Sequence, residues 1–360
     1  MLRFRLGFTA FLLVLVLLLT GCGRAPAQVT APQPATPALL AVQLVDERRG
    51  WGVTPSSILH TSDAGATWAA STPPGVKDLG SADASFLGAD HGWVAVGGAS
   101  STTVYRTSDG GKTWTKVDIP VDGGPQLHFL DVDHGWMMVH QGVAMSSERV
   151  TLLRTADGGA TWMAAAVAGP DDDSHGVPFG GDKTGIGFRD KDRGWLTGFE
   201  PVPGRAYLYR TDDAGRTWKK QDLPVPAAFR EAMLTTYPPL FFSASDGLLP
   251  VIVAGEQESR VFYITGDGGA TWTAASPVPS TVDNRSAWSF PDLQHGYALA
   301  GGKLYRTTDG GETWLALTPN TDLSGVTHLD FVSPQVGWAM GPGLLLKTTD
   351  GGQKWAAPHP

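Results

Sequence analysis

Through most of the chain, apolar side chains alternate with polar or small ones in short runs that end in Gly, Asp or Pro. Leu127-His128-Phe129, Ile186-Gly187-Phe188 and Leu329-Asp330-Phe331 show the pattern, and Val42-Gln43-Leu44, Ala84-Ser85-Phe86, Pro239-Leu240-Phe241 and Trp288-Ser289-Phe290 repeat it. Period two of this kind predicts a half-buried strand. Six residues beyond the last member of each run stands a glycine followed by a large apolar residue. These pairs are Gly50-Trp51, Gly92-Trp93, Gly135-Trp136, Gly194-Trp195, Gly247-Leu248, Gly296-Tyr297 and Gly337-Trp338. The pattern predicts seven units, each opening with a strand, an acidic turn and a second strand. Helices have almost no place in it.

A third column completes the unit. The motif Thr-x-Asp-x-Gly-x-Thr-Trp occurs at 61–68, 107–114, 155–162, 211–218, 265–272 and 307–314, and again at 348–355 with Lys354 in place of the second Thr. Successive motif tryptophans are 46, 48, 56, 54, 42 and 41 residues apart. A period near this length is that of a four-stranded propeller blade. Residues 41–360 therefore read as an all-β, seven-bladed β-propeller, with strands A to D in each blade and the motif at the C–D turn. Within the motif, Asp63, Asp109, Asp157, Asp213, Asp267, Asp309 and Asp350 are placed to accept hydrogen bonds from turn amides. The glycine two residues later supplies positive φ, and the tryptophan covers the turn. A calcium loop is the alternative, but five of the seven motifs offer one carboxylate and the other two offer two, where calcium takes six to eight oxygens. Of the 13 tryptophans, seven lie in the motifs, five follow the strand B glycines and Trp288 fills a strand A slot. The repeat accounts for all of them, which leaves no spare aromatic platform for stacking sugars.

Composition narrows the function classes. A net charge of -8 argues against nucleic acid as a partner. One Cys cannot form an internal disulfide or a thiolate metal site, and no cofactor is expected. That Cys stands in an informative place. Arg3 and Arg5 precede an apolar run from Ala10 to Leu19, too short to span a bilayer and typical of a secretory leader. The leader ends Leu19-Thr20-Gly21-Cys22. This sequence resembles the lipobox of bacterial lipoproteins, in which the Cys is acylated and becomes the mature N-terminus. An incidental Cys in an ordinary leader is the alternative. The expected organisation is a leader over 1–21, a lipidated Cys22 with a Pro/Ala-rich tether over 22–40, and the propeller. Residues 1–21 carry two Arg and no acid, so the mature chain has a charge of -10. The resemblance implies a lipid anchor in the cell envelope, on the outer side of the cytoplasmic membrane or in the outer membrane or periplasm.

The motif itself resembles the Asp-box, or bacterial neuraminidase repeat, and the resemblance covers nearly all of the mature chain. Segments 129–136 (FLDVDHGW) and 304–314 (LYRTTDGGETW) are similar to the repeats of the photosystem II assembly factor family. That resemblance implies a non-enzymatic propeller that binds a protein partner, in the family partly through arginines. Arg106, Arg154, Arg210, Arg306 and Lys347 recur just before the motif here, and repetition alone also explains them as strand-end charges. Some Asp-box proteins are sialidases or glycoside hydrolases, so a glycan-processing enzyme is the alternative function. The Arg-Ile-Pro segment of sialidases is missing, and no spacing selects a carboxylate pair. No metal site is expected: His91, His134 and His295 occupy one repeat slot on separate blades, and His128, His328 and Asp330 read as channel polar residues. The run Asp171-Asp172-Asp173 reads as a solvated loop.

Length variation points to one face. Strands alternate direction, so A–B turns and motif turns share a face, while B–C and D–A connections share the other. The long steps put segments 140–149, 167–184, 199–206 and 223–238 on that second face as loops. Loops on a rigid scaffold commonly carry binding. The expected docking residues are Asp171, Asp172, Asp173, Arg205, Arg230, Glu231 and Tyr237.

Overall fold

Phe129 and Gly135 face each other in the register of the first two strands of their blade, and a Cβ on Gly135 would lie 2.5 Å from the Phe129 ring. The same contact joins Phe86 to Gly92, Phe188 to Gly194, Phe241 to Gly247, Phe290 to Gly296 and Phe331 to Gly337. The glycine column thus exists because an aromatic ring folds across it. A computed structural model describes residues 37–359 apart from 146, 171–174, 256–257 and 280–286. Cys22, the leader and most of the tether lie outside the described residues, as do Asp171, Asp172 and Asp173.

The chain folds as an all-β propeller of seven blades, over residues 41–70, 82–119, 124–168, 182–220, 240–274, 288–316 and 328–356. Each blade is an antiparallel meander with strand A against the channel. Blade 2 is typical, with strands Ala82–Leu87, His91–Gly97, Thr102–Thr107 and Thr115–Ile119. Blade 7 has three strands, and its fourth is reduced to one bridge from Lys347 to Ala356.

Two connections expected as loops are ordered strand. Segment 140–149 continues the B and C strands of blade 3, Gly135–Ala144 and Ser147–Thr155, into a long hairpin. Segment 223–238 holds a 3-10 turn, Ala227–Phe229, and an extra strand, Met233–Thr236. That strand pairs with Phe199 of blade 4 and with Val251–Ala254 of blade 5, so the two blades share one nine-stranded sheet. It forms because strand B of blade 5, Gly247–Ala254, outruns its own two-residue strand A, Leu240–Phe241, and leaves an edge to be paired.

The core lies between the blades. Among the described residues seven apolar clusters are buried, one at each seam between neighbouring blades. The seam is built from the sequence columns. The strand B aromatic of one blade stacks on the strand A Phe of the next, Trp93 on Phe129 at 3.8 Å and Tyr297 on Phe331 at 3.6 Å between centroids. The motif Trp then meets that Phe edge-on, as Trp162 meets Phe129 at 89°.

The motif turns also reach across seams. In blade 3, Asp157 Oδ1 accepts hydrogen bonds from the Thr155 hydroxyl at 2.8 Å and the Thr161 amide at 2.9 Å, and Oδ2 accepts from the Thr161 hydroxyl at 2.7 Å. The following residue adopts positive φ, +66° at Gly158, with alanines at +65° and +62° in the same slot at Ala64 and Ala214. This conformation turns its carbonyl toward the preceding blade. Trp93 Nε1 donates to Gly158 O at 2.8 Å, Trp136 Nε1 to Ala214 O at 3.1 Å and Trp338 Nε1 to Ala64 O at 2.9 Å.

Around the channel, polar strand A side chains bond to the main chain of the next strand A. Gln43 Nε2 donates to Phe86 O, Asp83 Oδ2 accepts from Leu127 N, and Ser289 Oγ accepts from Phe331 N. Asp330 Oδ2 accepts from Leu44 N at 2.6 Å and His328 Nε2 donates to Val42 O at 3.1 Å, which closes blade 7 onto blade 1. The slots that would stitch blade 4 to blade 5 hold Gly185 and Gly187. At that seam the extra strand substitutes main-chain pairing for side-chain stitches.

Candidate functional site

The face carrying the B–C and D–A connections departs most from the repeat, and blades 3 to 5 build its relief. The blade 3 hairpin has a register shift between His140 and Val143. Beyond the shift, Val143 is 59% exposed and Met145, in a positive-φ conformation, is fully exposed. Two apolar side chains therefore stand in solvent at the end of a projecting hairpin.

At the base of the hairpin lies a buried ionic cluster. Glu148 Oε1 pairs with His140 Nδ1 at 2.6 Å, and Oε2 accepts the Lys183 amide at 2.6 Å. Lys183 Nζ donates to the carbonyls of Gly181 at 2.8 Å, Phe179 at 3.0 Å and Glu148 at 3.2 Å. Burial pushes the Glu148 carboxyl up, but the His140 and Lys183 hydrogen bonds together outweigh it and hold the group below its usual value. Burial brings the Lys183 ammonium down to about 8 against the attraction of Glu148 and Asp182. The end of segment 167–184 is thus clamped to the hairpin, and the Glu148 amide donating to Phe179 O at 2.9 Å adds to the clamp. Glu148 reads from the sequence only as a charge of segment 140–149 on this face, and its pairing with Lys183 is not legible there, because the repeat gives no reason to pair a hairpin residue with one 35 positions later. Buried charges survive only when paired, so this cluster fixes position.

Beside it, the B–C connection of blade 4 packs on the 3-10 turn. Gly204 N donates to Ala232 O at 2.8 Å, and a Cβ on Gly204, whose φ is +70°, would lie 2.4 Å from Arg230 O. This close approach brings Arg205, Arg230 and Glu231 onto one ridge, all three exposed. Tyr237 does not join them. It follows the extra strand, its amide donates to Pro250 O, and it is half-buried beside the charge of Arg260. The next residues, Pro238 and Pro239, lie against Gly185 and Gly187 at the channel wall.

The channel brings two carboxyl groups to one cleft. Asp83 of blade 2 and Asp330 of blade 7 both line a cavity of about 520 Å³ beside blade 1, and His328, on the same strand as Asp330, lines it too. Each carboxylate gives an oxygen to a neighbouring strand amide. Burial raises both, Asp330 to about 6. His128 accepts the Phe188 amide at 3.0 Å, and burial pushes it down to about 4. On the opposite face, His134 and His295 each bond the acid of their own turn, Asp131 at 3.0 Å and Asp292 at 2.9 Å. Among the described residues no group of three or more His, Cys, Asp or Glu could hold a metal ion.

No protein-family model matches this sequence, and no curated protein does. Solved structures do. YCF48 bound to D1 peptide superposes with a TM-score of 0.56 at 19% identity, covering 88% of this chain and 93% of that one. YCF48 from Cyanidioschyzon merolae gives 0.57 at 19% identity over 88% and 97%. The GH74 xyloglucanase from Xanthomonas campestris gives 0.59 at 16% identity over 89% of this chain and 54% of the enzyme, so this chain spans about half of that protein. At such identities the likeness is one of fold, and the fold it identifies is the β-propeller.

Proposed function

We propose that this chain is a non-enzymatic, extracytoplasmic lipoprotein, anchored through Cys22 in the cell envelope, which holds a protein partner on the face built by blades 3 to 5. The observation that carries the reading is the clamped relief of that face: exposed Val143 and Met145 on a fixed hairpin, beside the charged ridge of Arg205, Arg230 and Glu231. Asp171, Asp172 and Asp173, which lie outside the described residues, remain part of the proposed docking set on the strength of the sequence, and Tyr237 belongs to the channel margin of the surface. The fold is shared with YCF48, whose structure holds a D1 peptide, and this supports a peptide or protein as the partner class.

The test is capture from solubilised membranes by the full chain and by an Arg205→Ala/Arg230→Ala/Glu231→Ala variant. All three side chains are exposed, so the variant keeps the wild-type melting curve and loses the partner. Undiminished capture moves the site to the motif-turn face or the channel. Metabolic labelling with a fatty-acid probe checks the anchor: Cys22→Ala abolishes labelling, and equal labelling of the variant ends the lipoprotein reading.

A second reading, a glycan-processing enzyme, draws on the two carboxyl groups in one cleft and on the GH74 and ulvan lyase propellers among the similar folds. Against it, both carboxylates are engaged in holding strands together. Turnover in a polysaccharide substrate screen that Asp83→Asn abolishes would establish the second reading.

A further inference from the structure

The cleft beside blade 1 has a composition that the stitching role does not account for. Its walls are apolar, among them Leu40, Trp51, Ile58 and Val94, and its polar end carries Asp83, His328 and Asp330. No Lys or Arg lines it. A second cavity of about 460 Å³, between blades 6 and 7, shares His328 and Asp330 and adds Leu240 and Trp288. Leu240 is 40% exposed and Leu40 57% exposed, so large apolar side chains stand open at both cavities. The rim at Leu40 and Gly80 belongs to the face that carries the B–C and D–A connections.

The two strand A slots that line the channel hold Gln43, Ser85, His128, Gly187, Leu240, Ser289 and Asp330 in one ring and Ala41, Asp83, Gln126, Gly185, Pro238, Ala287 and His328 in the other. Neither ring contains a cation at neutral pH, since burial keeps His128 and His328 neutral. Two carboxyl groups therefore face this space with no cation in the strand A lining, and His140, which acts on Asp83 through charge, is already bonded to Glu148. Each bonds a strand amide through one oxygen, which a neutral Asn would do equally well. Negative charge in an apolar, partly closed space is costly unless a cation joins it, and a cation held there gains from charge-assisted hydrogen bonds.

We propose that the cleft receives a basic side chain, Lys or Arg, of a peptide segment, with the charged head at Asp83 and Asp330 and the aliphatic stem along the apolar wall. The volume suits one such side chain with its neighbours, and the stem-and-head division is how long basic residues bury themselves. A chain of net charge -8 also draws basic ligands. This inference rests on the reading that the partner is a protein, and it adds a channel contact, opening on the same face, to the surface of blades 3 to 5.

Calorimetry of the full chain with blocked pentapeptides Ac-Gly-Leu-X-Leu-Gly-NH2, X being Lys, Arg, Gln or Glu, tests it. The Lys and Arg peptides bind at least tenfold more tightly than the Gln and Glu peptides. Asp83→Asn/Asp330→Asn keeps both amide acceptors and loses that preference by at least tenfold. Equal binding of the Lys and Gln peptides overturns the proposal without reliance on any variant, and so does undiminished selectivity in the double Asn protein. n-Butylamine separates the two readings. If it raises the melting temperature of the wild type and not of the double variant while no peptide binds, the cation site stands and the protein-partner reading falls. If neither amine nor peptide binds, the cation site itself is overturned.

Discussion

Trp136 lies flat on Phe188 across the seam between blades 3 and 4, with ring centroids 3.6 Å apart and planes within 6°. The two residues are 52 positions apart, and one is the strand B column while the other is the strand A column of the next repeat. Loss of the Phe188 ring removes this stack, the edge contact to Trp218 and the cover over Gly194. Phe188→Ala lowers stability by about 3–5 kcal/mol. Trp136→Phe keeps most of the stack and loses only the donor to Ala214 O, at about 1–2 kcal/mol. Denaturant unfolding of the two variants checks the ranking, and equal losses would refute the division of labour.

The glycines of the strand B column are required by sterics at close quarters. A methyl group at Gly135 meets Phe129 ring atoms at 2.5, 2.6 and 2.8 Å. Gly135→Ala destabilises by about 1–3 kcal/mol, the usual range for overpacking. Adding Phe129→Leu recovers part of the loss, because a smaller side chain makes room. A double variant worse than the sum of the singles would show that the ring is not what the glycine accommodates.

Thr236 is the lock between blades 4 and 5. Its buried hydroxyl accepts the Gly198 amide at 3.0 Å and donates to the Tyr207 carbonyl at 2.5 Å. Thr236→Val preserves shape and leaves both backbone groups unmatched, at about 1–3 kcal/mol. Hydrogen exchange reads the effect locally: the Gly198 amide loses protection in the variant, while amides in blade 1 keep theirs.

Two channel residues give stability opposite dependences on pH. His128 titrates near 4 when folded and near 6.5 when unfolded, so the unfolded chain takes up the proton first and stability falls as pH drops from about 6.5 to 4. Asp330 titrates near 6 when folded and near 3.8 when unfolded. The folded chain takes up that proton first, so its contribution grows as pH falls from about 6 to 4 and is lost as pH rises through 6. Each contribution is on the order of 1–3 kcal/mol. His128→Gln therefore melts with less acid sensitivity than wild type, and Asp330→Asn with more. Melting temperatures between pH 4 and 7 decide, and a reversed order for either variant rejects the assignment.

How much of this was legible in the sequence follows from range. The Phe, Gly-Trp and motif columns are local, and each sets a contact within its own blade, so the strands and turns could be read directly. Their second roles could not. The carbonyl of Ala214 is oriented by its own turn yet receives Trp136 from the preceding blade, and no spacing within one repeat reveals that. The extra strand Met233–Thr236 was hidden because it lies among Pro224, Pro226, Pro238 and Pro239, which read as a loop. It pairs only because strand B of blade 5 offers a free edge. Of the residues expected to dock a partner, Arg205, Arg230 and Glu231 converge through the Gly204 contact, while Tyr237 is carried away by the extra strand. The channel carboxylates Asp83 and Asp330 share a cleft only once the ring closes, since 247 residues separate them.

The closure between blades 7 and 1 has a further consequence. Among the described residues, blade 1 holds only strands from 41–70 and blade 7 only residues from 328–356, and no blade borrows a strand from the far end of the chain. Side chains fasten the seam: Trp338 to Ala64, Asp330 to Leu44 and Lys347 to Glu47. Apart from blades 4 and 5, which share the extra strand, a stretch of one repeat length is therefore a complete module, and its duplication or loss adds or removes a whole blade without leaving a half-built one. The first and last blades are neighbours, so residues 37–359 can be re-threaded by joining the ends with a short linker and cutting at Gly75, a positive-φ turn glycine with open space around it. Such a permutant would keep every seam, and the chain's direction of reading would no longer determine where the ring begins.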